Sequence, residues 1–490
     1  MTPAESRGRV TRRGPVPDTA YDVAVVGAGV VGTAVARELA RRPGLRVAVV
    51  DAANDVGEGT SKANTAILHT GFDAVPGSLE SRLVREGQRL LTAYAAESGI
   101  PVEPVGALLV AWDEQQHAAL PGLLDKAARN GHDAARIIGP EEARAREPHL
   151  GPGARGALDV PGESIICPWT TTLAYATQAV RAGVDLHLNC AVTHVRQGEG
   201  RHELTTERGV VRTRYLVNAA GLHADAVDRL LGHDDFTVTP RRGQLIVFDK
   251  FARGLLTHIL LPVPTALGKG VLVAPTVHGN VLLGPTAEEL DDKTATGSSA
   301  EGIAALREKG RRVLPELLDE EVTAVYAGLR AATGHDDYRI SAHKEQRYVT
   351  VGGIRSTGLT ASLAIAAHVA ELLAATGLDL AGPGDLAPVR MPNLGEAFPR
   401  PYRRADLIAA DPAYGTVVCH CERVTLGEIR DALAATVPPG SPDGLRRRTR
   451  ARGGRCQGFY CGAAVRQLFE RGGEFARDGV SEQGGESMSG

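Results

Sequence analysis

Four cysteines near the end of the chain have the type and spacing of metal ligands. Cys419 and Cys421 are separated by one residue, 34 residues follow, and Cys456 and Cys461 are then separated by four residues. Thiolates are soft ligands, and four of them suit either an iron–sulfur cluster or a tetrahedral zinc ion. The spacing alone leaves iron, zinc and an empty redox-switch site open.

A glycine-rich turn near the start of the chain has the pattern of a nucleotide-binding site. Segment 21–52 reads YDVAVVGAGVVGTAVARELARRPGLRVAVVDA: an apolar strand, a G-x-G-x-x-G turn, a helix, a second apolar strand and an acid. Such a turn lets the backbone approach a pyrophosphate at a helix N-terminus, and the acid accepts hydrogen bonds from a ribose. The pattern predicts a dinucleotide site formed by Gly27, Gly29, Val31, Gly32 and Asp51.

Later segments favour FAD as the dinucleotide. The stretch 57–72, GEGTSKANTAILHTGF, is polar and glycine-rich, which suits wrapping around an extended cofactor. The stretch 351–373 has the pattern of a strand, a glycine-rich loop and an apolar helix, and so predicts a second helix N-terminus at the flavin end. The strand in 215–227 ends in Ala-Ala-Gly, another point of close backbone approach. The further residues expected to contact FAD are Thr60, Ser61, Ala66, Val192, Ala220, Gly221, Gly353, Gly358, Leu359 and Thr360.

Several blocks of the chain resemble, in the same order, the FAD-dependent family of glycerol-3-phosphate dehydrogenase, L-2-hydroxyglutarate oxidase and D-amino acid oxidase-like enzymes. The blocks are TSKANTAILHTGFDAVPGSLESRLVREG, ICPWTTTLAYA, VNAAG, RRGQLIVFDK, GNVLLGPTAEE, YAGLRAA and GIRSTGLT. The segment 417–470, which contains VVCHCERVTLGEI and RRRTRARGGRCQGFYC, is similar to the [2Fe-2S] domain of bacterioferritin-associated ferredoxin and of the anaerobic glycerol-3-phosphate dehydrogenase catalytic subunit. This second resemblance implies a [2Fe-2S] cluster on the four cysteines.

The two resemblances imply an α/β fold. A Rossmann-like FAD-binding domain would carry an inserted mixed-sheet substrate domain, and a small C-terminal iron–sulfur domain would follow. We predict a flexible arm at 1–19, an FAD-dependent oxidoreductase unit at 20–390, a linker at 391–415, the [2Fe-2S] domain at 416–472 and a flexible tail at 473–490. The substrate subdomain is expected mainly at 90–150 and 240–335.

Four side chains are candidates for the chemistry at the flavin. His69 lies in the segment expected to line the flavin ring, where family members carry a histidine, and a neutral imidazole there would take the hydroxyl proton of an alcohol. A packed structural role is the alternative for His69, and His258 is the alternative base. Arg330 resembles the family arginine that binds the substrate's anionic group, with a structural ion pair as its alternative. Arg355 would assist the substrate or a reduced flavin.

Bulk composition excludes several partners. The formal net charge is −3, so no overall field would attract nucleic acid. No apolar run of about 18 residues occurs, so we expect no transmembrane span. The N-terminus lacks the pattern of an export signal, so we expect a cytoplasmic, reducing compartment.

The arginine run at 446–455 has three alternative interpretations. It is a solvated basic loop, a means of raising the potential of the cluster, or a docking site for an acidic redox partner.

These expectations together predict a dehydrogenase that oxidises a small anionic alcohol. The first choice is glycerol 3-phosphate, oxidised to dihydroxyacetone phosphate by hydride transfer to FAD, with one-electron relay through the cluster to a redox partner protein or a quinone-linked acceptor. The run His69-Thr70-Gly71-Phe72-Asp73 departs from the Arg-Tyr pair that helps to hold phosphate in the aerobic glycerol-3-phosphate enzymes. An L-2-hydroxy acid is therefore the alternative substrate. Further alternatives are an amino acid or amine dehydrogenase subunit, or a non-catalytic electron-transfer subunit.

Overall fold

Short buried strands and the helices between them form most of the chain. The computed structural model describes residues 8–198, 200–264 and 270–472. The strands in chain order are β1 (Val10–Thr11), β2 (Ala20–Val26), β3 (Val47–Val50), β4 (Ile67–Leu68), β5 (Val102–Glu103), β6 (Ala107–Ala111), β7 (Arg136–Ile138), β8 (Gly156–Val160), β9 (Ser164–Ile166), β10 (Asp185–His187), β11 (Val192–Gly198), β12 (Arg201–Thr206), β13 (Gly209–Asn218), β14 (Thr239–Phe248), β15 (Ile259–Pro262), β16 (Leu272–Pro275), β17 (Val281–Gly284), β18 (Glu288–Glu289), β19 (Val322–Ala332), β20 (Arg339–His343), β21 (Tyr348–Gly352), β22 (Val417–Cys419) and β23 (Val424–Thr425). The α-helices are α1 (Val30–Ala40), α2 (Leu79–Ser98), α3 (Glu114–Arg129), α4 (Pro140–Arg146), α5 (Pro168–Arg181), α6 (Ala224–Leu230), α7 (Ala300–Val313), α8 (Gly358–Ala375), α9 (Ala405–Ala410), α10 (Leu426–Leu433), α11 (Pro442–Thr449) and α12 (Gly462–Glu470).

The first large sheet has a parallel centre, as the buried apolar runs predicted. Its order is β1-β10-β3-β2-β13-β12-β11, and β21 also pairs with β13 and with β20. Strands β10, β3, β2, β13 and β21 are mutually parallel where they pair. Because parallel strands end at one edge of a sheet, Gly27, Asp51, Ala219 and Gly353 come together there.

Helix α8 packs between other elements of this unit. It contacts α1 and α2, and its residues from Leu359 to Ala366 are all buried. Within the described residues, α8 is the one helix whose length and apolar composition would allow it to cross a membrane, and most of it is buried inside the structure. The absence of a transmembrane span stays a prediction.

The second large sheet is mixed. Its order is β18-β14-β17-β16-β15-β6-β8-β7, with β19 paired to β14. Strand β15 runs parallel to β6, and the other pairs are antiparallel. A small sheet of β4, β9 and β5 lies beside it, in which Leu68 pairs with Ser164 across antiparallel strands. This register places the residue after β4, His69, beside the residue before β9, Glu163.

The segment after residue 390 folds back on the rest of the chain. Strands β22 and β23 and helices α10, α11 and α12 surround a small core that includes Val424, Ile429, Leu445 and Val465. The predicted linker contains α9 and two turns of 3₁₀ helix, and the neighbouring Arg400 is buried against Glu428 of α10 at 3.0 Å. The division of the chain into an oxidoreductase unit, a linker and a cluster domain remains our proposal.

The N-terminal arm is ordered from residue 8 onward, so the prediction of a flexible arm is wrong for this part. Strand β1 adds in parallel to β10 and satisfies the backbone groups of that edge strand. Arg12 donates hydrogen bonds to the carbonyl oxygens of Asn54 (2.7 Å) and Pro438 (2.5 Å). Residues 1–7 and the predicted flexible tail at 473–490 lie outside the described residues.

Candidate functional site

The glycine turn between β2 and α1 makes a close backbone approach. Gly27 has φ +107°, and a Cβ there would overlap the carbonyl oxygen of Ala219. A Cβ at Gly32 would overlap the carbonyl oxygen of Gly27. Gly29 caps α1 without a side-chain hydrogen bond, and Ser61 Oγ accepts from the Val30 N–H at 2.9 Å. The backbone at this helix N-terminus therefore fits a pyrophosphate, as the sequence predicted.

Asp51 follows β3 at the same edge of the sheet. Its carboxylate accepts from the Ala28 N–H at 2.5 Å and the Ala53 N–H at 2.7 Å. Burial raises the pKa of Asp51. Each carboxylate oxygen has further lone pairs, so the group fits the diol of an adenosine ribose.

Val192, Ala220 and Gly221 lie around the adenosine end of this edge. Val192 and Ala220 pack on the apolar cluster that contains Val26 and Val50, the last residues of β2 and β3. Gly221 begins a short 3₁₀ turn after β13, with φ +58°. Their placement agrees with contacts to the cofactor, which stay a prediction.

The loop at 57–66 lies against strand β19. Thr60 Oγ1 donates to the Leu329 carbonyl at 2.6 Å, and Tyr326 Oη donates to the Asn64 carbonyl at 2.7 Å. A Cβ at Gly328 would overlap the carbonyl oxygen of Ala63. This contact joins the cofactor loop, which follows β3 of the first large sheet, to β19 of the second large sheet. Strand β19 carries Arg330.

His69 is held by a buried glutamate. Its Nδ1 lies 3.0 Å from Glu163 Oε2, and its backbone N–H donates to Thr360 Oγ1 at 3.0 Å. Glu163 is fully buried and also accepts from the Thr70 N–H (2.7 Å) and Thr70 Oγ1 (2.8 Å). A carboxylate only accepts, so it keeps the proton of a neutral His69 on Nδ1 and leaves the lone pair on Nε2.

The sequence analysis missed Glu163. The signal available was an acid between two apolar strands, in DVPGESII at 159–166. Glu163 lies in a turn, and its own backbone carbonyl accepts a hydrogen bond from the Gly106 N–H at 2.9 Å.

His258 lies close to the same turn. A Cβ at Gly106 would lie 3.3 Å from the His258 ring. His258 Nδ1 is 2.7 Å from Oε1 of Glu147, a fully buried carboxylate that also accepts from the His258 N–H at 2.6 Å. Burial alone would raise the pKa of Glu147, but hydrogen bonds from His258 and Thr257 hold it below its usual value. His258 is thus engaged with Glu147, and its role as the alternative base stays a prediction.

Arg330 is a half-buried cation. Its Nη2 donates to the Thr286 carbonyl at 2.7 Å and its Nε to the Arg241 carbonyl at 3.4 Å. No carboxylate lies within 4.0 Å of its guanidinium in the parts of the chain that the structure describes. Burial, together with the neighbouring Arg241, lowers the pKa of Arg330 to about 10. The contacts therefore leave its positive charge for an anionic ligand, which agrees with the predicted role.

Arg355 is engaged by acidic side chains. It donates to the carbonyl of Asp336 and lies 3.5 Å from Glu80 Oε2. Its predicted role toward the substrate or flavin stays a prediction, and these contacts partly offset its charge. The adjoining loop fits the flavin prediction: Gly353 has φ +66°, and Gly358 opens α8 with no side-chain cap. Leu359 and Thr360 follow, both buried.

The positive φ of Ala66 marks the bend that leads from the cofactor loop into β4. Ala66 has φ +57°, and its N–H donates to Asn64 Oδ1 at 2.8 Å. Its carbonyl accepts from the Ile166 N–H at 2.9 Å. The bend carries the chain from the α1 N-terminus, where Ser61 lies, to His69.

The four predicted cluster ligands come together and pair off. Cys421 contacts Cys456, and Cys461 contacts Cys419. Cys419 and Cys461 are buried, whereas Cys421 and Cys456 are partly exposed. All four cysteines belong to the described residues. No three of their sulfur atoms lie within 4.8 Å of one another, whereas ligand atoms of His233, Asp235 and His343 do. Thiolates around one tetrahedral zinc ion would all meet it, so two close pairs fit a two-iron cluster better.

The middle of the arginine run is an internal contact surface, so the interpretation of the whole run as a solvated basic loop is wrong. Arg447 and Arg448 are buried. Arg448 holds both oxygens of the fully buried Asp55 at 2.7 Å, and Arg447 pairs with Glu58. Asp55 lies between β3 and the cofactor loop, and Glu58 lies in that loop. The run therefore attaches the cluster domain to the nucleotide-binding unit.

A chain of contacts links the cofactor loop to the cluster ligands. Trp169 Nε1 donates to the Lys62 carbonyl at 3.1 Å, and its indole stacks on His278 with ring centroids 5.0 Å apart. The His278 carbonyl accepts from Arg450 at 3.0 Å, and Arg450 pairs with Glu422, the residue after Cys421. Burial and the charge of Arg450 lower the pKa of His278 to about 3. A continuous series of contacts thus connects the cofactor loop with the residue next to Cys421.

Two family models match the chain. Residues 22–372 match the DAO model, described as FAD dependent oxidoreductase, and residues 417–471 match the BFD-like [2Fe-2S] binding domain. The chain therefore belongs to the DAO family of FAD-dependent oxidoreductases and carries a BFD-like [2Fe-2S] domain at its C-terminal end. Both resemblances, the mixed α/β fold and the two cofactors, FAD and the [2Fe-2S] cluster, are confirmed.

Particular relatives extend this match over almost the whole chain. Glycerol 3-phosphate dehydrogenase of Caloramator mitchellensis is 35% identical over 454 residues, which cover 92% of this chain and 94% of that protein. One subunit of the anaerobic glycerol-3-phosphate dehydrogenase of Escherichia coli (strain K12) is 26% identical over 496 residues, 92% of this chain and 88% of that one. Dithionite-reduced L-alpha-glycerophosphate oxidase of Mycoplasma pneumoniae, solved with FAD bound, is 30% identical and superposes with a TM-score of 0.69 over 77% of this chain and 98% of its own.

Proposed function

We propose that this oxidoreductase converts glycerol 3-phosphate to dihydroxyacetone phosphate and passes the electrons singly to a partner. The observation that carries the proposal is Arg330, a half-buried guanidinium without a carboxylate partner in the described residues, on the strand that packs against the cofactor loop. The relatives that bear glycerol 3-phosphate in their names support the same substrate.

In this proposal, His69 removes the hydroxyl proton of the alcohol at its Nε2. Glu163 fixes the imidazole by holding Nδ1–H and offsets the positive charge that His69 acquires. Thr70 and the buried turn around Glu163 keep that carboxylate in place. FAD, when bound, would supply a hydride acceptor, and a [2Fe-2S] cluster on the four cysteines would supply a one-electron carrier.

Arg330 binds the anionic end of the substrate. A guanidinium presents parallel N–H donors that match the oxygens of a phosphate or a carboxylate. The attraction between Arg330 and a bound anion is strengthened by the low dielectric around this half-buried side chain. No carboxylate of the described residues competes for the guanidinium. Since a carboxylate fits the same pair of N–H donors, L-2-hydroxyglutarate is the substrate against which glycerol 3-phosphate must be compared.

A partner for the electrons is supported by the cluster domain and by a relative that is named as one subunit of an enzyme. The contacts from Lys62 through Trp169, His278 and Arg450 to Glu422 support electron passage between the two redox sites. We propose a reducing, cytoplasmic compartment, since clustered cysteines there more often bind metal than form disulfides, and the six cysteines form no disulfide in the described residues.

The test is an anaerobic titration of the purified holoenzyme, followed by its visible spectrum. Bleaching of the flavin band by glycerol 3-phosphate, with L-2-hydroxyglutarate and glycine without effect, is the expected result. Bleaching by L-2-hydroxyglutarate alone would replace the substrate and keep the role of Arg330. If none of the three compounds reduces the flavin, the proposed reaction is wrong.

A further inference from the structure

Two aromatic side chains protrude beside the cluster ligands. Phe459 and Tyr460 are 85% and 78% exposed, and their rings meet edge to face with centroids 5.4 Å apart. Both lie in the loop between Cys456 and Cys461. Large apolar side chains are rarely left this exposed in adjacent positions without a binding partner.

The exposed side of the ligand set faces this loop. Cys419 and Cys461 are buried, whereas Cys421 and Cys456 are partly exposed. Gly458 follows Cys456 by two residues with φ +87°, and it turns the chain so that the aromatic pair stands outward. Electron transfer is fastest across the shortest layer of protein. We therefore expect electrons to leave the cluster on the side of Cys421 and Cys456.

Exposed apolar residues of the oxidoreductase unit lie close to Arg455 and Gln457, the neighbours of Cys456. Phe251 is 76% exposed, and the guanidinium of Arg455, next to Cys456, lies 5.1 Å from the centre of its ring. Arg455 also pairs with Asp249 at 3.0 Å, and Gln457 donates to the Thr323 carbonyl at 3.0 Å. Val322, the residue before Thr323, is 44% exposed. We call Phe251, Val322, Phe459 and Tyr460 the seam patch, because together they span both units.

The cluster domain has an excess of arginine, and part of this positive charge lies on its surface. Residues 416–472 contain ten arginines, no lysine and five acidic residues, although the whole chain has a net charge of −3. Arg452 packs on Gly458, Arg466 is exposed on α12, and Arg471 is exposed directly after that helix. None of these three arginines has a carboxylate within 4.0 Å among residues 8–198, 200–264 and 270–472. Their charges are thus not neutralised by the described part of the chain.

We propose that the seam patch is the docking surface for a one-electron carrier protein whose contact face is apolar and rimmed by acidic residues. An aromatic centre with a charged rim is the usual anatomy of a protein interface, and opposite charge speeds the encounter. This inference rests on the proposed function, since it identifies the acceptor for the electrons released there. Each encounter moves one electron, so two encounters remove the pair that one alcohol releases, and the two protons pass to solvent.

The test uses holoenzyme reduced with a stoichiometric amount of dithionite, so that it does not depend on the substrate. Stopped-flow mixing measures reoxidation by three probes: cytochrome b5 as an acidic carrier, cytochrome c as a basic carrier, and the small quinone menadione. We expect cytochrome b5 to react faster than cytochrome c at low salt, and its rate to fall with ionic strength. Equal rates with the two cytochromes, without salt dependence, would overturn the charge assignment.

The double variant Phe459→Ser/Tyr460→Ser removes the aromatic centre. Its rate with cytochrome b5 should fall about tenfold, while the rate with menadione stays unchanged. Ile137→Ser, an exposed apolar residue on β7, is the matched control and should leave all rates unchanged. Iron content and the visible spectrum establish that the cluster is retained. Equal losses with menadione and cytochrome b5 would mean that the loop only supports the cluster, and the docking role would be wrong.

The charge-reversed variant Arg466→Glu/Arg471→Glu changes exposed residues on and directly after α12 and tests the rim without altering the ligand loop. Its rate with cytochrome b5 should fall and its rate with cytochrome c should rise. Flotation with vesicles of phosphatidylcholine and phosphatidylglycerol tests a membrane as the alternative occupant. Vesicle binding that requires Phe459 and Tyr460 would overturn the assignment to a protein carrier.

Discussion

Glu163 Oε2 lies 3.0 Å from Nδ1 of His69, a residue that is 94 positions away in the chain. The antiparallel pairing of Leu68 with Ser164 brings the two side chains together, and Thr70 supplies further hydrogen-bond donors to the buried carboxylate. A histidine with one nitrogen fixed by a buried carboxylate has a defined tautomer and orientation. This pair is the basis of the first prediction.

Replacing Glu163 by glutamine should slow flavin reduction by about a hundredfold, because an amide neither fixes the tautomer of His69 nor offsets its charge. Rapid-mixing measurement of flavin bleaching separates this step from later electron transfer. Glu86→Gln, an exposed residue on α2 paired with Arg89, is the control. A normal bleaching rate in Glu163→Gln would assign His69 a packing role.

Replacing Arg330 by methionine should weaken binding of an anionic substrate. A hydrogen bond to a charged group contributes about 1.5–3 kcal/mol, so KM should rise roughly 10–100-fold with a smaller change in kcat. Added guanidinium ion should restore part of the activity. Arg155→Met, an exposed residue paired with Glu114, is the control and should leave KM unchanged. An unchanged KM in Arg330→Met would place the anion elsewhere.

Replacing Asp55 by asparagine should loosen the attachment of the cluster domain. The change leaves Arg448 buried without its carboxylate, at a cost of about 3–5 kcal/mol. Limited proteolysis within 391–415 should be faster than in the wild type, whereas Asp22→Asn, at an exposed pair with Arg214, should behave as the wild type. Equal cleavage of all three proteins would show that other contacts hold the two units together.

The same contact should be stable at neutral pH and fail in acid. Burial by itself would raise the pKa of Asp55, but Arg448, Gly440 and Arg447 together hold it below its usual value. A carboxyl group with a lowered folded-state pKa contributes stability that is complete above its unfolded pKa, near 3.9, and is lost as the pH falls through the folded value. Proteolysis with an acid-active protease should therefore accelerate only below about pH 4. Acceleration between pH 5 and 8 would indicate control by a histidine instead.

The metal content distinguishes the cluster from zinc directly. Anaerobically purified protein should contain about two iron atoms and two acid-labile sulfides per chain, and little zinc. Cys461→Ser should lose both together, and Cys190→Ala, a buried cysteine outside the ligand set, should keep them. One zinc per chain in freshly prepared protein would contradict the assignment.

Local patterns allowed much of the site to be predicted. The apolar runs of β2 and β3, the glycines between β2 and α1, and Asp51 at the end of β3 are near neighbours in sequence, and backbone geometry alone constrains them. The spacing of the four cysteines likewise marked a metal site, although the choice of iron over zinc came from the resemblance. His69 and Arg330 were selected by residue type, by their segments and by the family resemblance.

Other features depended on partners far away in the chain. The arginines at 447 and 448 could be read as a solvated basic loop because Asp443 is the one acid close to them in sequence, but Asp55 and Glu58 also pair with them in the fold. The N-terminal arm looked flexible because its strand forms only when the edge of β10 is available. The sequence by itself determined which residues could do chemistry, since side-chain type and local backbone pattern are encoded over a few positions. Only the tertiary structure decided which side chains meet an acid, as His69 meets Glu163, and which have no carboxylate partner among the described residues, as with Arg330, because burial and distance determine electrostatic partners.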